Sequence, residues 1–258
     1  MIKFYKYQGA GNDFIIIDDR ERTFNTNQDF VKLLCDRRFG IGADGLMLLQ
    51  NEIGYDFKMV YFNSDGSEGS MCGNGGRCLV RFAHDMGFIN DETSFIATDG
   101  HHLATVYKDN ISLKMIDVSE ITSTDDSFFL NTGSPHYVKF VSDLANLNIV
   151  EEGKKIRYGS PYVEKGGTNV NFVEVLHNNS LFVRTYERGV EDETLACGTG
   201  VTACAIASKI AFGFDKKVTI KAMGGYMAIE FDEVSPKKFE NIYLIGPAEK
   251  VFEGVYNA

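Results

Sequence analysis

The four residues Cys72-Gly73-Asn74-Gly75 return as Cys197-Gly198-Thr199-Gly200, 125 residues later in the chain (from position 72 to position 197). Both copies follow an acidic loop, and both precede a run of apolar residues with helical spacing. Three further identities occur at the same offset, where Phe57, Tyr61 and Glu68 recur as Phe182, Tyr186 and Glu193. This pattern indicates a unit that is present twice. The alternative is one irregular sheet domain with chance matches.

Each copy of the motif is flanked by the same order of predicted elements. Residues 56–62 and 181–186 are rich in aromatic and β-branched residues, and we expect a strand in each segment. Apolar spacing predicts a helix over residues 75–86 and a second helix over residues 200–212. The second helix is apolar on nearly every side, so we expect it to be buried all round.

The fold class that follows is α+β, with two pseudo-symmetric domains. In each domain we expect a mostly antiparallel β-sheet curled into a barrel around a central helix, because a buried helix needs a wrapping of strands. Three more strands are predicted after each helix, over residues 93–97, 103–107, 111–115, 218–222, 226–231 and 241–245. A short surface helix is predicted near residues 29–37, with Asn27 as its cap.

The domain boundary is predicted in a segment rich in serine, threonine and aspartate, residues 118–126. We therefore expect a first domain over residues 1–119 and a second over residues 120–247. The last segment, residues 248–258, is expected to pack back onto the first domain.

Composition and charge restrict the class of protein. The chain has 258 residues, of which 44% are hydrophobic, and a formal net charge of −10. An acidic protein repels phosphate backbones, which argues against nucleic acid as a partner. The start of the chain alternates like a strand and has no apolar signal core, and the isoleucine run at residues 15–17 is too short to span a bilayer. We therefore expect a cytoplasmic protein with no membrane partner.

The five cysteines differ in their surroundings. Their odd number and the absence of a Cys-x-x-Cys pair argue against a disulfide framework and against a thiolate zinc site. Cys35, Cys78 and Cys204 fall in helical patterns and are expected to be buried apolar residues. Cys72 and Cys197 stand beside glycines in a duplicated position, which does not suit a packing role. The sequence also has no phosphate-binding Walker motif and no cluster of metal ligands, so we expect neither metal nor cofactor.

Two thiols presented in this way can invert a stereocentre. The glycines allow the backbone to approach a ligand closely, and the helix that begins there presents unpaired N–H groups and the positive end of its dipole. Such a site favours a thiolate and binds a carboxylate. One thiolate could then remove the α-proton of an amino acid while the other thiol supplies a proton from behind. A disulfide between the two cysteines requires the same proximity, and the residues alone leave it open.

Longer motifs around the cysteines resemble the diaminopimelate epimerase family. Asn63-x-Asp65-Gly66-Ser67, four further residues and Cys72-Gly73-Asn74-Gly75-x-Arg77 together resemble the family signature in full. Shorter segments fit the same family in order, so that the resemblance spans essentially the whole chain: Gly9-x-Gly11-Asn12-Asp13-Phe14, Gly40-Ile41-Gly42-x-Asp44-Gly45, Tyr186-Glu187-Arg188-Gly189 and Glu193-Thr194-x-Ala196-Cys197-Gly198-Thr199-Gly200.

The resemblance implies an activity and a set of roles. The family interconverts LL- and meso-2,6-diaminopimelate in lysine and peptidoglycan precursor biosynthesis, without a cofactor and as a homodimer. Cys72 and Cys197 would be the two catalytic acid–bases, and His136 and Glu187 would support the protonation of the thiols. Backbone N–H groups of Gly73, Asn74, Gly198 and Thr199 would bind the reacting carboxylate. Further substrate contacts would come from Asn12, Asn63, Asn169, Glu187 and Arg188.

One position departs from the family pattern. His136 lies in Ser134-Pro135-His136, where the family usually has Asn-Pro-His. A serine hydroxyl reaches less far than a carboxamide, so this departure concerns one substrate contact and leaves the thiol chemistry unchanged.

Two other functions are compatible with parts of this pattern. A proline or hydroxyproline racemase of the same fold also has paired Cys-Gly motifs, but it usually carries histidine where Asn74 stands and lacks the Asn63-x-Asp65-Gly66-Ser67 run. A non-catalytic protein that binds amino acids or senses redox state is the other alternative. It would bind diaminopimelate without exchanging the α-hydrogen.

Overall fold

A computed structural model describes residues 1–69, 71–124, 126–177 and 179–257. The chain divides into two compact units, one formed by Met1–Leu113 with Gly246–Ala258 and the other by Lys114–Ile245. The segment in which the sequence predicts a boundary, residues 118–126, includes Asp125, which lies outside the described residues. Within the described ranges, none of the helices combines the length and the apolar character that crossing a bilayer requires.

Over its described residues, the first unit contains eight strands and two helices. In chain order the elements are β1 (Ile2–Gly9), β2 (Asn12–Asp18), α1 (Gln28–Cys35), β3 (Gly45–Gln50), β4 (Phe57–Asn63), α2 (Gly73–Asp85), β5 (Glu92–Ala97), β6 (Gly100–Tyr107), β7 (Asn110–Lys114) and, from the end of the chain, β17 (Glu249–Tyr256). The strands pair in the order β17, β1, β2, β3, β4, β5, β6, β7, and all pairs are antiparallel except β2–β3 and β4–β5. Because α2 packs against β17, β1, β2 and β3 and also against β6, the sheet curls around this helix.

The second unit repeats this succession. Its elements are β8 (Ile121–Ser123), β9 (Ser127–Asn131), β10 (Pro135–Phe140), α3 (Ile149–Arg157), β11 (Asn169–Val175), β12 (Ser180–Glu187), β13 (Asp192–Thr194), α4 (Gly198–Phe212), β14 (Lys217–Ala222), β15 (Gly225–Ser235) and β16 (Lys238–Pro247), with short 3-10 turns at Leu144–Asn146 and Val163–Lys165. The pairs β10–β11 and β12–β14 are parallel and the others are antiparallel. Helix α4 packs against β9, β10, β11, β12, β14 and β15.

Both units contain two strands, a helix, two strands, the central helix and three strands in the same order, and the predicted duplication is confirmed. Strand β17 of the first unit and strands β8 and β13 of the second are additional to this common order. Helices α2 and α4 begin 125 residues apart, at Gly73 and Gly198. Strands β5 and β14 are also displaced by 125 residues at both ends, since they span Glu92–Ala97 and Lys217–Ala222. The mixed, mostly antiparallel sheet with few helices agrees with the α+β class that the sequence predicts.

Both central helices begin directly after their cysteine. Cys72 and Cys197 are the N-cap residues, and each has extended backbone angles. Their carbonyl groups accept the first helical bonds, from Gly76 at 2.7 Å and from Val201 at 2.9 Å. The N–H groups of the first helical turn have no acceptor within an α-helix, which is why a helix N-terminus suits the binding of anions. Among the shorter helices, α1 has the predicted cap, since the Asn27 side chain accepts a bond from Phe30 N at 3.2 Å.

Candidate active site

In the first unit, the contacts of Cys72 depend on the orientation of the Asn12 carboxamide. Asn12 donates from Nδ2 to the Asp44 carboxylate at 2.6 Å, which turns its Oδ1 towards the N-terminus of α2. Cys72 Sγ lies 3.7 Å from this oxygen and can donate its thiol hydrogen to it. Asn74 Nδ2 reaches the same oxygen at 3.4 Å. The structure thus brings together three of the residues that the sequence singles out.

An ion-pair cluster holds Asp44 and the segment that carries Asn12. Asp13 pairs with Lys6 at 2.7 Å and with Arg37 at 2.6 Å, and Arg37 also pairs with Asp44 at 2.7 Å. Burial alone would raise the pKa of Asp13, but the hydrogen bonds from Arg37 and Lys6 hold this pKa below its usual range. Asp13 therefore remains anionic at neutral pH, and Arg37 links it to Asp44, the residue that fixes the orientation of Asn12.

Arg77 lies buried beneath the first turn of α2. Its guanidinium donates to the Gly73 carbonyl at 3.3 Å and to Asn74 Oδ1 at 3.0 Å, and its side chain is fully buried. Burial lowers the pKa of Arg77, and the charges of Cys78 and Cys72 act in the opposite direction. The guanidinium thus ties the loop that presents Cys72 to the body of its helix.

Asn63 lies at the end of β4, where a tight turn follows. Its Nδ2 donates to Ser67 Oγ at 3.2 Å, and Asp65 accepts from both the N–H and the hydroxyl of Ser67. Gly66 has a positive φ of 81°, and a Cβ there would lie 2.1 Å from the Gln28 carbonyl oxygen. The Asn63-x-Asp65-Gly66-Ser67 run is therefore a turn that requires glycine and that fixes the position of Asn63.

In the second unit, Cys197 lies next to a hydroxyl group that in turn contacts an imidazole. Cys197 is 8% exposed, and its Sγ lies 3.5 Å from Thr199 Oγ1. Thr199 Oγ1 lies 2.9 Å from His136 Nε2, and the His136 side chain is fully buried. Burial, assisted by the charge of Arg188, lowers the pKa of His136 to about 3. The imidazole is therefore neutral at any physiological pH.

The other three cysteines are buried, as the sequence predicts, and burial raises the pKa of each thiol. The pKa of Cys35 is raised to about 11 and that of Cys78 to about 12. The pKa of Cys204 lies well above its ordinary value. These thiols remain protonated at neutral pH, and all five cysteines are unbridged.

Asn169 and Ser134 position Arg188. Asn169 Oδ1 accepts from the backbone N–H of Arg188 at 2.9 Å. Asn169 Nδ2 donates to Ser134 Oγ at 2.8 Å and to the Pro135 carbonyl at 3.1 Å. Ser134, which departs from the family pattern, thus contacts a residue that the sequence predicts in the site. Its hydroxyl supports the Asn169 carboxamide.

Glu187 and the loop after it are held by side-chain bonds. Glu187 Oε2 accepts from the Thr194 hydroxyl at 2.8 Å. Three residues past Arg188, the turn is closed by Glu191, which accepts from Gly189 N at 3.0 Å and pairs with Arg157 at 3.0 Å. The hydroxyls of Tyr158 and Tyr186 donate to the same carboxylate at 2.7 and 3.0 Å. The loop that carries Arg188 is consequently well anchored to its unit.

Two residues of these surroundings are not predicted by the sequence motifs. Arg77 belongs to the motif that starts at Cys72, but the motif does not indicate its contacts. Asn171 lies in none of the motifs, and the structure places its carboxamide 3.1 Å from His136 Nδ1. The repeat contains a usable signal, because Asn171 stands where the first half has Leu46. A polar residue inside an otherwise apolar buried strand indicates a specific hydrogen-bonding role.

Comparison with known proteins identifies the family. The sequence profile described as diaminopimelate epimerase matches residues 4–119 and 128–251. A diaminopimelate epimerase from Flavobacterium psychrophilum is 52% identical over 255 residues, which cover 98% of this chain and 99% of that protein.

Solved structures share the fold at much lower identity. A Bacillus anthracis phenazine biosynthesis protein of the PhzF family has a TM-score of 0.77 at 14% identity and covers 99% of both chains. A probable proline racemase from Agrobacterium radiobacter K84 has a TM-score of 0.69 at 15% identity, over 100% of this chain and 93% of that one. At these identities the likeness concerns the fold alone, whereas the profile and the close relative span nearly the whole sequence. The chain belongs to the diaminopimelate epimerase family.

Proposed function

We propose that this protein interconverts LL- and meso-2,6-diaminopimelate by a two-base mechanism without a cofactor, as a step of lysine and peptidoglycan precursor biosynthesis. The observation that carries the proposal is the pair of cysteines at equivalent N-caps, Cys72 before α2 and Cys197 before α4. Family membership supplies the reaction, and this pair supplies groups that can perform it.

The chemistry needs a base on one face of the α-carbon and an acid on the other. One thiolate takes the α-proton and becomes a thiol, while the opposite thiol gives its proton to the carbanion and becomes a thiolate. Each turnover therefore exchanges the protonation states of Cys72 and Cys197, and the reverse reaction starts from the exchanged form. Thiolates are competent bases at neutral pH, which hydroxyls are not.

Stabilisation of the carbanion is the demanding part of this reaction. As the α-proton leaves, negative charge spreads onto the adjacent carboxylate. We assign the binding of this carboxylate to backbone N–H groups in the first turns of the helices, those of Gly73, Asn74, Gly198 and Thr199. Fixed donors aimed at developing charge are the main source of such stabilisation.

The remaining roles follow the same scheme. We propose that His136 and Glu187 support the protonation of the thiols, and that Arg188 binds the distal carboxylate through its two-pronged guanidinium. The further substrate contacts are assigned to Asn12, Asn63, Asn169 and Glu187. Residues 1–119 with 248–258 and residues 120–247 would act as the two half-domains.

Deuterium incorporation tests the reaction directly. The protein is incubated in deuterated water with LL-diaminopimelate, and α-deuterium is followed by mass spectrometry, with proline as a control substrate. We expect incorporation into diaminopimelate and none into proline. Incorporation into proline instead would indicate a racemase of the same fold, and binding of diaminopimelate with no incorporation would leave a non-catalytic binding protein.

We also propose that the protein is a cytoplasmic homodimer with a small-molecule substrate and no nucleic-acid partner. The support for the dimer is family membership, and the support for the lack of nucleic acid is the net charge of −10. Light scattering coupled to size-exclusion chromatography measures the mass in solution. A mass near that of the single chain, 28.8 kDa, would contradict the dimer.

A further inference from the structure

The Asn171 carboxamide has a defined orientation. Its Nδ2 lies 2.9 Å from the carbonyl oxygen of Tyr137, and a carbonyl can only accept, so the amide nitrogen must occupy this side. On the other side Oδ1 accepts from the Thr185 hydroxyl at 3.0 Å. The backbone of β10 thus fixes which end of the Asn171 side chain donates, and Asn171 is fully buried.

This orientation determines the tautomer of His136. The same Nδ2 lies 3.1 Å from His136 Nδ1, so Nδ1 has to accept and cannot carry a hydrogen. Because the buried imidazole is neutral, its single N–H must be at Nε2. Nε2 therefore donates to Thr199 Oγ1, which lies 2.9 Å away.

The direction of the hydrogen bond between Thr199 and Cys197 follows from the bonds of His136 and Asn171. Thr199 Oγ1 accepts from His136, which leaves its own hydroxyl hydrogen for another acceptor. Cys197 Sγ lies 3.5 Å from this oxygen, within the distance of a hydrogen bond to sulfur. Since a thiolate is an acceptor, this donor favours the ionised form of Cys197. When the sulfur is protonated, Thr199 can accept its hydrogen without any movement of the imidazole.

The glycine of the second motif supports the same arrangement independently. A Cβ on Gly200 would lie 2.5 Å from Asn171 Oδ1 and 3.4 Å from Cys197 Sγ. Glycine at this position therefore allows the Asn171 carboxamide to approach the first turn of α4. The first unit has no equivalent, because Leu46 occupies the position of Asn171 and Gly11 that of His136.

We propose that Asn171 is a positioning residue that fixes His136 as the Nε2–H tautomer, so that Thr199 serves as a hydrogen-bond donor to Cys197. The proposal rests on the proposed function, because it assigns a purpose to the ionised sulfur of Cys197. It makes His136 a fixed donor that does not change its protonation during turnover. It also adds Asn171 and the Thr199 hydroxyl to the groups on which this half of the reaction depends.

Other charges act on this set of contacts and must be considered in any pH measurement. Arg188 acts on His136, and Cys204 interacts with Cys197. Glu187 ends β12, next to Arg188. The strands packed against α4 carry further charged side chains, several of them paired with one another or with neighbouring groups: Lys139, Glu174, Arg184, Lys217, Lys221 and Glu230.

The tautomer can be measured without any turnover. Protein labelled with ¹⁵N in its histidines is examined by long-range ¹H–¹⁵N correlation, which distinguishes Nδ1–H, Nε2–H and imidazolium. The His136 signal is assigned by its loss in His136→Gln. We expect the Nε2–H pattern throughout the range from about pH 6 to 8, well above the pKa of this group. An Nδ1–H pattern in the unaltered protein would overturn the proposal.

Variants of Asn171 test its role. Asn171→Asp has the same shape, and its ionised carboxylate can only accept, so we expect a hydrogen to appear on His136 Nδ1. Asn171→Leu introduces the residue of the first half and removes the constraint, so both tautomers should be populated. Thr185→Val is the matched control, because it removes the bond to Oδ1 and leaves both Nδ2 bonds in place. The Nε2–H pattern should persist in this control, and a pattern unchanged in all three variants would refute the role of Asn171.

A second readout reports on the sulfur. Alkylation of Cys197 by iodoacetamide is followed against pH, with the modified peptide quantified by mass spectrometry. We expect the midpoint to move to higher pH in Thr199→Val and Asn171→Asp and to stay in place in Thr185→Val, because removal of a donor disfavours the thiolate. An unmoved midpoint in Thr199→Val would refute the donor role. Both readouts are independent of substrate, whereas loss of deuterium exchange in the unaltered protein would refute the proposed function alone.

Discussion

Mild acid should destabilise this protein through His136. Burial, with the charge of Arg188, lowers the pKa of this group from 6.5 to about 3 in the folded protein. Between these two values His136 binds a proton in the unfolded chain but not in the folded protein. The stabilisation that depends on neutral His136 is therefore present in full above about pH 6.5 and is lost progressively as the pH falls towards about 3. From pH 7 to pH 5 the linkage relation gives a loss of about 2 kcal/mol of unfolding free energy.

The comparison with His136→Gln isolates this contribution. Glutamine is neutral at every pH. The variant therefore lacks the pH dependence of stability that His136 causes, but it keeps the pH dependence that the carboxylates cause. Urea unfolding of both proteins at pH 7 and pH 5 gives four free energies, and their double difference is the quantity of interest. We expect the unaltered protein to lose about 2 kcal/mol more than the variant. An equal loss in both proteins would mean that His136 is accessible to protons in the folded state, and the neutral, fixed imidazole would then be refuted.

Four further substitutions test other parts of the structure. Cys72→Ala and Cys197→Ala should each abolish epimerisation while circular dichroism remains unchanged, because either base alone cannot invert the centre. Near-normal turnover in one of them would exclude the two-base scheme. Gly200→Ala should lower the unfolding free energy by about 1 to 3 kcal/mol in urea unfolding, because its Cβ would overlap the Asn171 oxygen. Glu191→Gln should lower stability by about 1 to 3 kcal/mol, because it weakens the charge-assisted bonds of a part-buried carboxylate, and thermal unfolding would measure this.

The chain offers a matched control for each of the two stability predictions. Gly75→Ala is the equivalent change in the first half, where a Cβ would meet the flexible end of Met47 at 3.1 Å, and we expect a smaller loss than at Gly200. Glu240→Gln removes a pair with Lys238 in which both side chains are exposed, and we expect an effect within about 1 kcal/mol. If either control had the full effect of its test variant, the packing or burial argument at that site would fail.

The order of helices and strands could be predicted from the sequence because the same pattern of residues occurs in both halves of the chain. The predicted helix starts were nevertheless late by two residues, at Gly75 and Gly200 instead of Gly73 and Gly198. Glycine and asparagine are poor helix formers, so residue preferences alone assign the first turn to a loop. Each helix can begin directly after its cysteine, because the cysteine is the N-cap and only this one residue needs extended backbone angles.

The candidate site could be predicted only where it lies in a recognisable motif. The two N-cap cysteines and the turn at Asn63 are local features, and short sequence patterns describe them. The contact between Asn171 and His136 joins β11 to β10 across a parallel register, in which His136 pairs with Asn169. A contact of this kind depends on strand order and pairing, which no single segment of sequence specifies. Comparison of the two halves, residue by residue, was the one route that could have identified it.

The chemical difference between the two halves has a consequence for the two directions of the reaction. Cys197 Sγ lies next to the Thr199 hydroxyl, which in turn contacts His136, whereas Cys72 Sγ lies next to the oxygen of the Asn12 carboxamide. Under the proposed scheme, abstraction from one stereoisomer begins at one sulfur and abstraction from its epimer begins at the other. Because the two thiol hydrogens have different surroundings, they should exchange for deuterium with different equilibrium constants. The solvent isotope effect measured on epimerisation in one direction should therefore differ from that measured in the other direction. Under the proposed scheme, a duplicated unit would thus give each direction of the reaction its own isotopic signature.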